Sequence, residues 1–404
     1  MTDDRHPIRW GQLLYFLISG LAFLWLLLAL SMAFDANFGK PLNQDIPEFI
    51  EGALASTYFY DSGLREPFHI FCLKIVLHFF PHHEQAARLT TVAQTLFAAF
   101  AMWYFAKTVF GHTVGLISLW LFVVNPVVIF YGVSGMRASI YMALLMLFAG
   151  KVWTVLSVEQ ARARDILWAG LIGGALILTR RYGGAILVMS LLVGVGLVWR
   201  FKRERWVSFA KASGAIMAVA GLIFLPDLLF HETPAFKDNV NFFRNLELYG
   251  EIGGFRQSPP VSYLHYIFVD HTPFEVVSIV SKNIFFFPSD YLSFFFRYLP
   301  YFWCFAWLAT FSIYKSPTFA WVSLFAWLSL APIVFVLHLD QVAFGKGVEN
   351  RLVIQTFALF LPAMVAFLLL TIKCALVRLL RSPQHQASIL TWSQKLQIQY
   401  WDTF

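Results

Sequence analysis

From Gly11 to Phe34 the chain carries no charged residue, and apolar runs of similar length recur along most of the sequence. About 20 consecutive apolar residues cross the hydrocarbon core as a helix, the only open segment that satisfies its own backbone hydrogen bonds in lipid. The pattern predicts spans near 11–33, 88–106, 114–133, 139–156, 166–180, 183–199, 208–230, 299–314, 318–338 and 352–373. The expected fold class is therefore an all-α polytopic membrane protein with about ten transmembrane helices. Composition agrees, because only 13% of the 404 residues are charged, against about 25% in soluble domains.

The formal net charge of +7 would in a soluble chain suggest nucleic acid. In a membrane protein it reports orientation instead, so nucleic acid is discounted. Cys72, Cys304 and Cys374 form no C-x-x-C pair, which argues against a disulfide framework or a thiolate metal site. Arg5 and Arg9 precede the first apolar run and no small-residue cleavage site follows, as expected of an uncleaved first helix. With that N-terminus inside, Arg200, Lys202, Arg203, Arg205 and Lys211 form a cytoplasmic basic cluster, and most acids fall outside. A transmembrane domain over 1–380 would carry two large outer loops, 34–87 and 231–298. The polar tail 381–404, with Trp392 and Trp401, would lie along the cytoplasmic surface.

The first outer loop is too long for a simple connector, and loops of that length in compact folds are usually functional. At Asp45-Ile46-Pro47 an acid and a proline open a helix. From Pro67 to Phe80 runs a second apolar segment, too short to span and suited to the interface. Two juxtamembrane helices are expected to roof the outer surface.

Asp45, then Arg65-Glu66-Pro67 opening an apolar helix, then Ala87-Arg88-Leu89 entering the next span resemble the GT-C-type membrane glycosyltransferases. That group includes protein O-mannosyltransferases and the bacterial aminoarabinose transferase that modifies lipid A. The resemblance continues through Asn125-Pro126 and Ser134 to Tyr141, through Leu178-Thr179-Arg180-Arg181-Tyr182-Gly183, and through Glu349-Asn350-Arg351. It covers about 40–200 and 345–372. The chain departs from the family pattern at Ile46, where Glu is usual, and at Ala138, where an acid is frequent.

The resemblance implies a GT-C-like fold in the cell envelope, in a bacterial inner membrane. It also implies a glycosyltransferase that moves a sugar from a polyprenyl-phosphate donor to a lipid, glycan or protein acceptor on the outer face. Asp45 would then be the general base, although Asp is equally suited to cap the helix that starts at Ile46. Glu66 would orient Asp45, bind a metal, or pair with Arg65. In the span map, Arg65, Arg137, Arg180, Arg181 and Arg351 all fall at outer helix ends. Their planar, permanently charged forks suit a phosphate leaving group, and some are expected to snorkel to lipid headgroups instead. A divalent cation is left open as cofactor. His265, Asp270 and His271 lack a second ligand pair at helical spacing and read as structural or acceptor-binding.

Two competing functions remain. A transporter or flippase of lipid-linked sugars would place charge at mid-span, in broken helices and repeated halves. The spans are nearly free of mid-membrane charge, and Asn125-Pro126 and Pro332 are the obvious breaks. A catalytically silent GT-C-like subunit of a larger membrane assembly is the third reading, to which Ile46 and Ala138 leave room.

Overall fold

The computed structural model describes residues 10–37, 45–57, 59–60, 67–80, 82–180, 183–230, 265, 269–285, 308–310, 316–334 and 350–379. Among the described residues the regular structure is helical. The helices are α1 (Trp10–Ala36), α2 (Asp45–Ala55), α3 (Pro67–Phe79), α4 (His83–Phe110), α5 (His112–Val123), α6 (Pro126–Gly132) and α7 (Ala138–Ser157). They continue as α8 (Ala163–Thr179), α9 (Gly183–Phe201), α10 (Trp206–Phe230), α11 (Pro273–Phe285), α12 (Pro317–Val334) and α13 (Asn350–Leu379).

Six described helices are long and apolar enough to cross a membrane, or seven if a bent pair counts as one span. The expected single span at 114–133 is that bent pair: α5 and α6 meet at 65°. Pro126 has no N–H to give and pushes the preceding residue out of the helical region. Asn125 accordingly sits extended and its side chain accepts from the Val127 N–H at 2.9 Å, capping α6. The expected span at 299–314 lies almost wholly outside the described residues, as do the tail and most of the second loop. The described part of that loop holds α11, whose start is closed by a capping box. The Thr272 N–H and hydroxyl both donate to Glu275 at 2.8 Å.

Burial sorts the helices by depth in the bundle. Along α1, Phe16, Leu17 and Met32 are exposed, as befits a lipid-facing helix. In the centre, α7 is buried along most of its length, with Tyr141, Ala143, Leu145, Met146 and Phe148 fully enclosed and its one charge, Lys151, paired to Asp165 of α8 at 3.3 Å. It packs on α4, where Gly150 lets the Tyr104 ring approach: an added Cβ would stand 3.2 Å from Cε1. Beside it, α8 and α10 pack through a glycine stripe. A Cβ at Gly170 would sit 2.5 Å from Val219 Cβ, and one at Gly174 would sit 2.8 Å from Ile223 Cβ. Without a hydrophobic drive between helices in lipid, such close backbone contact supplies the attraction.

The two expected juxtamembrane helices are present. At 11 and 13 residues, α2 and α3 are too short to span. Ile46, Phe49, Ile50 and Ala53 form one buried stripe on α2, which packs against Ile70, Leu73, Ala86, Ala87 and Met136. The spacing is that of one helix face. The resulting small core, separate from that of the bundle, fastens the roof to the start of α4 and to the α6–α7 link.

Candidate active site

The roof gathers four chain segments: the start of α2, the inner face of α3, the α6–α7 link and the end of α8. The link from Val133 to Arg137 is held against α4 by two side chains. Arg88 donates from Nη1 to the Val133 carbonyl at 3.0 Å, and the Thr91 hydroxyl accepts from the Gly135 N–H at 3.2 Å. Gly135 has φ +80, and an added Cβ would stand 2.8 Å from Cδ1 of Ile46. A residue with a side chain would be strained there both by backbone and by contact. Ile46 thus seats the start of α2, one residue after Asp45, directly on the link.

On α3, His69 points inward and is 1% exposed. Its Nδ1 lies 3.1 Å from Nε2 of Gln94 on α4. Its ring meets the ring of Phe49 edge-on at 5.2 Å. Burial pushes its pKa down to about 4; the Gly135 backbone and Gln94 oppose that shift, while the nearby Arg180 guanidinium adds to it. The imidazole is therefore neutral at ordinary pH.

Two of the expected phosphate-binding arginines come to this cluster. Arg180, 3% exposed, ends α8, and its Cζ lies 5.1 Å from the centre of the Tyr141 ring. Arg137, half-buried at the start of α7, has its Cζ 5.6 Å from the centre of the Phe49 ring. Both lie over aromatic faces at cation–π distance, which favours a fixed place for each guanidinium group.

Asp45 is the first residue of α2 and Arg351 stands in the first turn of α13; the side chains of both lie outside the described residues, as do Arg65, Glu66 and Arg181 entirely. Among the described residues no group of His, Cys, Asp or Glu is arranged to hold a metal ion. His265 and Asp270 pair with each other at 3.5 Å.

Sequence reasoning passed over His69, Gln94 and Tyr141. A single His on the apolar face of a short helix gives no pattern, because its partners come from α2, α4 and α8. Tyr60, also passed over, donates to the Ile223 carbonyl at 2.8 Å and ties the α2–α3 connection to α10. Burial and the charge of nearby Asp227 raise its pKa.

Residues 65–230 match the family model described as dolichyl-phosphate-mannose-protein mannosyltransferase. No curated protein matches the chain. Among solved structures, ArnT from Cupriavidus metallidurans bound to undecaprenyl phosphate is similar, with TM-score 0.55 at 14% identity over 89% of this chain and 64% of that one. The apo form of ArnT matches with TM-score 0.50 at 15% identity, over 89% of this chain and 63% of that one. The archaeal oligosaccharyltransferase AglB from Archaeoglobus fulgidus, in complex with an inhibitory peptide and a dolichol-phosphate, matches with TM-score 0.55 at 12% identity, over 95% and 54%. The chain thus spans less than two thirds of the length of any of these three. It has the GT-C fold, and its resemblance to the GT-C-type integral membrane glycosyltransferases is carried by sequence over residues 65–230 and by fold over most of its length.

Proposed function

We propose that this protein is a membrane glycosyltransferase that moves a sugar from a polyprenyl-phosphate carrier to a lipid, glycan or protein acceptor, on the outer face of the membrane. The observation that carries the reading is a cluster around His69: Arg137 lies over Phe49 of the helix that begins at Asp45, and Arg180 acts on the His69 ring that meets Phe49 edge-on. Similar structures bind undecaprenyl phosphate and dolichol-phosphate, which supports a carrier of that chemistry here.

In the reaction, the Asp45 carboxylate accepts the proton of the acceptor hydroxyl or amine. The freed electron pair attacks the anomeric carbon, and the bond from that carbon to the phosphate oxygen breaks, its electrons leaving with the carrier phosphate. An ionised carboxylate within hydrogen-bond reach suffices as base. The arginines stabilise the charge growing on the phosphate, an effect largest where water is excluded and donors are fixed in advance. Glu66 orients Asp45 or pairs with Arg65, and Arg65, Arg181 and Arg351 complete the anion site.

A silent subunit is the second reading, and one observation favours it. Ile46 and Ala138, apolar where the family carries acids, are 0% and 2% exposed and packed into core. These positions serve packing here, so the two acids usual at them in the family have no counterpart at the same places in this chain.

The test uses purified protein, a panel of radiolabelled polyprenyl-phosphate sugars and the Asp45→Asn variant. Release of polyprenyl phosphate by wild type and its loss in Asp45→Asn is the expected result. Binding without turnover in both would make the chain a silent or partner-dependent subunit. Neither binding nor turnover would favour the transporter.

A further inference from the structure

Phe49 is 1% exposed and stands between two groups of the site. The Arg137 guanidinium carbon lies 5.6 Å from its ring centre, and the His69 ring meets it edge-on at 5.2 Å and 75°. On α2 it stands four residues, about one turn, after Asp45. His69 is in turn fixed to α4 through Gln94. The ring is therefore a point at which α2 touches both the cation at the start of α7 and the inner face of α3.

We propose that Phe49 is a positioning residue, through which an anion held by Arg137 sets the placement of α2 and with it Asp45. Three physical points lead there. First, Ile46, Ile50 and Ala53 supply apolar packing that any similar helix face would give, whereas Phe49 makes the described contact between α2 and a charged group of the site. Second, a guanidinium bound to phosphate oxygens has less freedom than an unliganded one, so occupancy at Arg137 restrains the ring stacked on it. Third, α2 is short, at 11 residues, and its stability comes from its packed face rather than its own propensity. Fixing one ring near its first turns is then felt along the helix. The consequence is that carrier binding and base placement are coupled: the phosphate that must leave also orders the helix that bears the base.

The proposal rests on the reading of the arginines as a carrier-phosphate site, and its test separates the two. Hydrogen exchange of α2 is followed in the full-length protein in nanodiscs, with and without sugar-free undecaprenyl phosphate, for wild type, Phe49→Leu and Phe49→Tyr. Carrier affinity and turnover are measured in parallel. The expected result is that the carrier slows exchange of α2 in wild type and Phe49→Tyr. In Phe49→Leu that protection is lost and kcat falls about tenfold or more, while carrier affinity changes less than about threefold. Arg137→Gln, followed at saturating carrier, serves as the second route: it is expected to lose the same protection with Phe49 still in place, and protection kept at saturation would overturn the coupling.

If Phe49→Leu keeps both carrier-induced protection and kcat, the coupling does not exist. Loss of carrier affinity in step with kcat would make Phe49 a plain structural residue and overturn the proposal equally. Wild type that binds carrier and protects α2 yet turns over no donor would sink the enzymatic reading and leave the coupling standing. Wild type that binds no carrier would remove both.

Discussion

The guanidinium of Arg180 is stacked on the ring of Tyr141, with Cζ 5.1 Å from the ring centre, and both residues are buried. One ends α8 and the other lies in the first turn of α7, so the stack joins the two helices at the roofed end of the bundle. A cation fixed in this way is already placed before an anion arrives, which is what charge stabilisation during reaction requires.

Tyr141→Leu keeps an apolar side chain and removes the stack. Carrier affinity is expected to fall by roughly 2- to 30-fold, the equivalent of a cation–π contact of about 0.5–2 kcal/mol. Arg180→Lys, which retains charge but loses the planar fork, should cost at least as much. Titration with labelled undecaprenyl phosphate measures both, and unchanged affinity in the pair would remove Arg180 from the anion site.

At Gly135, substitution by Ala meets two penalties, a left-handed backbone at φ +80 and Cδ1 of Ile46 at 2.8 Å. The backbone term alone is about 1–2 kcal/mol. Gly135→Ala is therefore expected to lower the unfolding midpoint in detergent. Adding Ile46→Val should recover the contact part of the loss and leave the backbone part. Full recovery would show that the conformation of this link is not the constraint.

His69 gives a pH signature of defined sign. Its pKa is depressed from 6.5 to about 4 in the folded protein, so the unfolded chain binds the proton more readily. Its contribution to stability is fully present above about pH 6.5 and is lost as pH falls toward about 4. The whole swing is at most about 3 kcal/mol. Wild type should lose more thermal stability than His69→Gln between pH 7 and pH 4. Parallel curves for the two proteins would refute a buried neutral imidazole.

The glycine stripe between α8 and α10 is tested by Gly174→Val. Its Cβ would stand 2.8 Å from Ile223 Cβ, which is attached directly to the neighbouring backbone and has little room to give. Overpacking of this kind costs about 1–3 kcal/mol. On α10, Gly221 has nothing within 4 Å of an added Cβ. Gly221→Ala should be neutral or stabilising by up to about 1 kcal/mol. Equal effects at the two glycines, read by thermal unfolding, would mean that helix propensity and not close approach decides the stripe.

The short-range signals read from the residues are the ones the structure reproduces. Asp45-Ile46-Pro47 and Pro67 marked helix starts, and α2 and α3 begin at Asp45 and Pro67. The uncharged run after Trp10 became α1, and 139–156 became α7 with one residue added at each end. The run at 114–133 carries no charge, so hydropathy read one span although Asn125-Pro126 stood in it as an obvious break. The 65° break at Asn125–Pro126 depends on backbone geometry that hydropathy does not register.

What the sequence by itself determined is the membrane class, the spanning character of the long apolar runs and the existence of a helical first loop. Each of these is set by local hydrophobicity and by residues that restrict backbone angles at their own position. The tertiary structure alone decided which polar groups share a site. Arg137, Arg180, His69, Gln94, Phe49 and Tyr141 come from five helices and links. No periodicity along the chain brings them together, because their meeting depends on how α2 and α3 fold back over α4 and on the close approach that glycines allow between helices. The neutrality of His69 belongs to that level too, since it arises from burial among elements far apart in sequence.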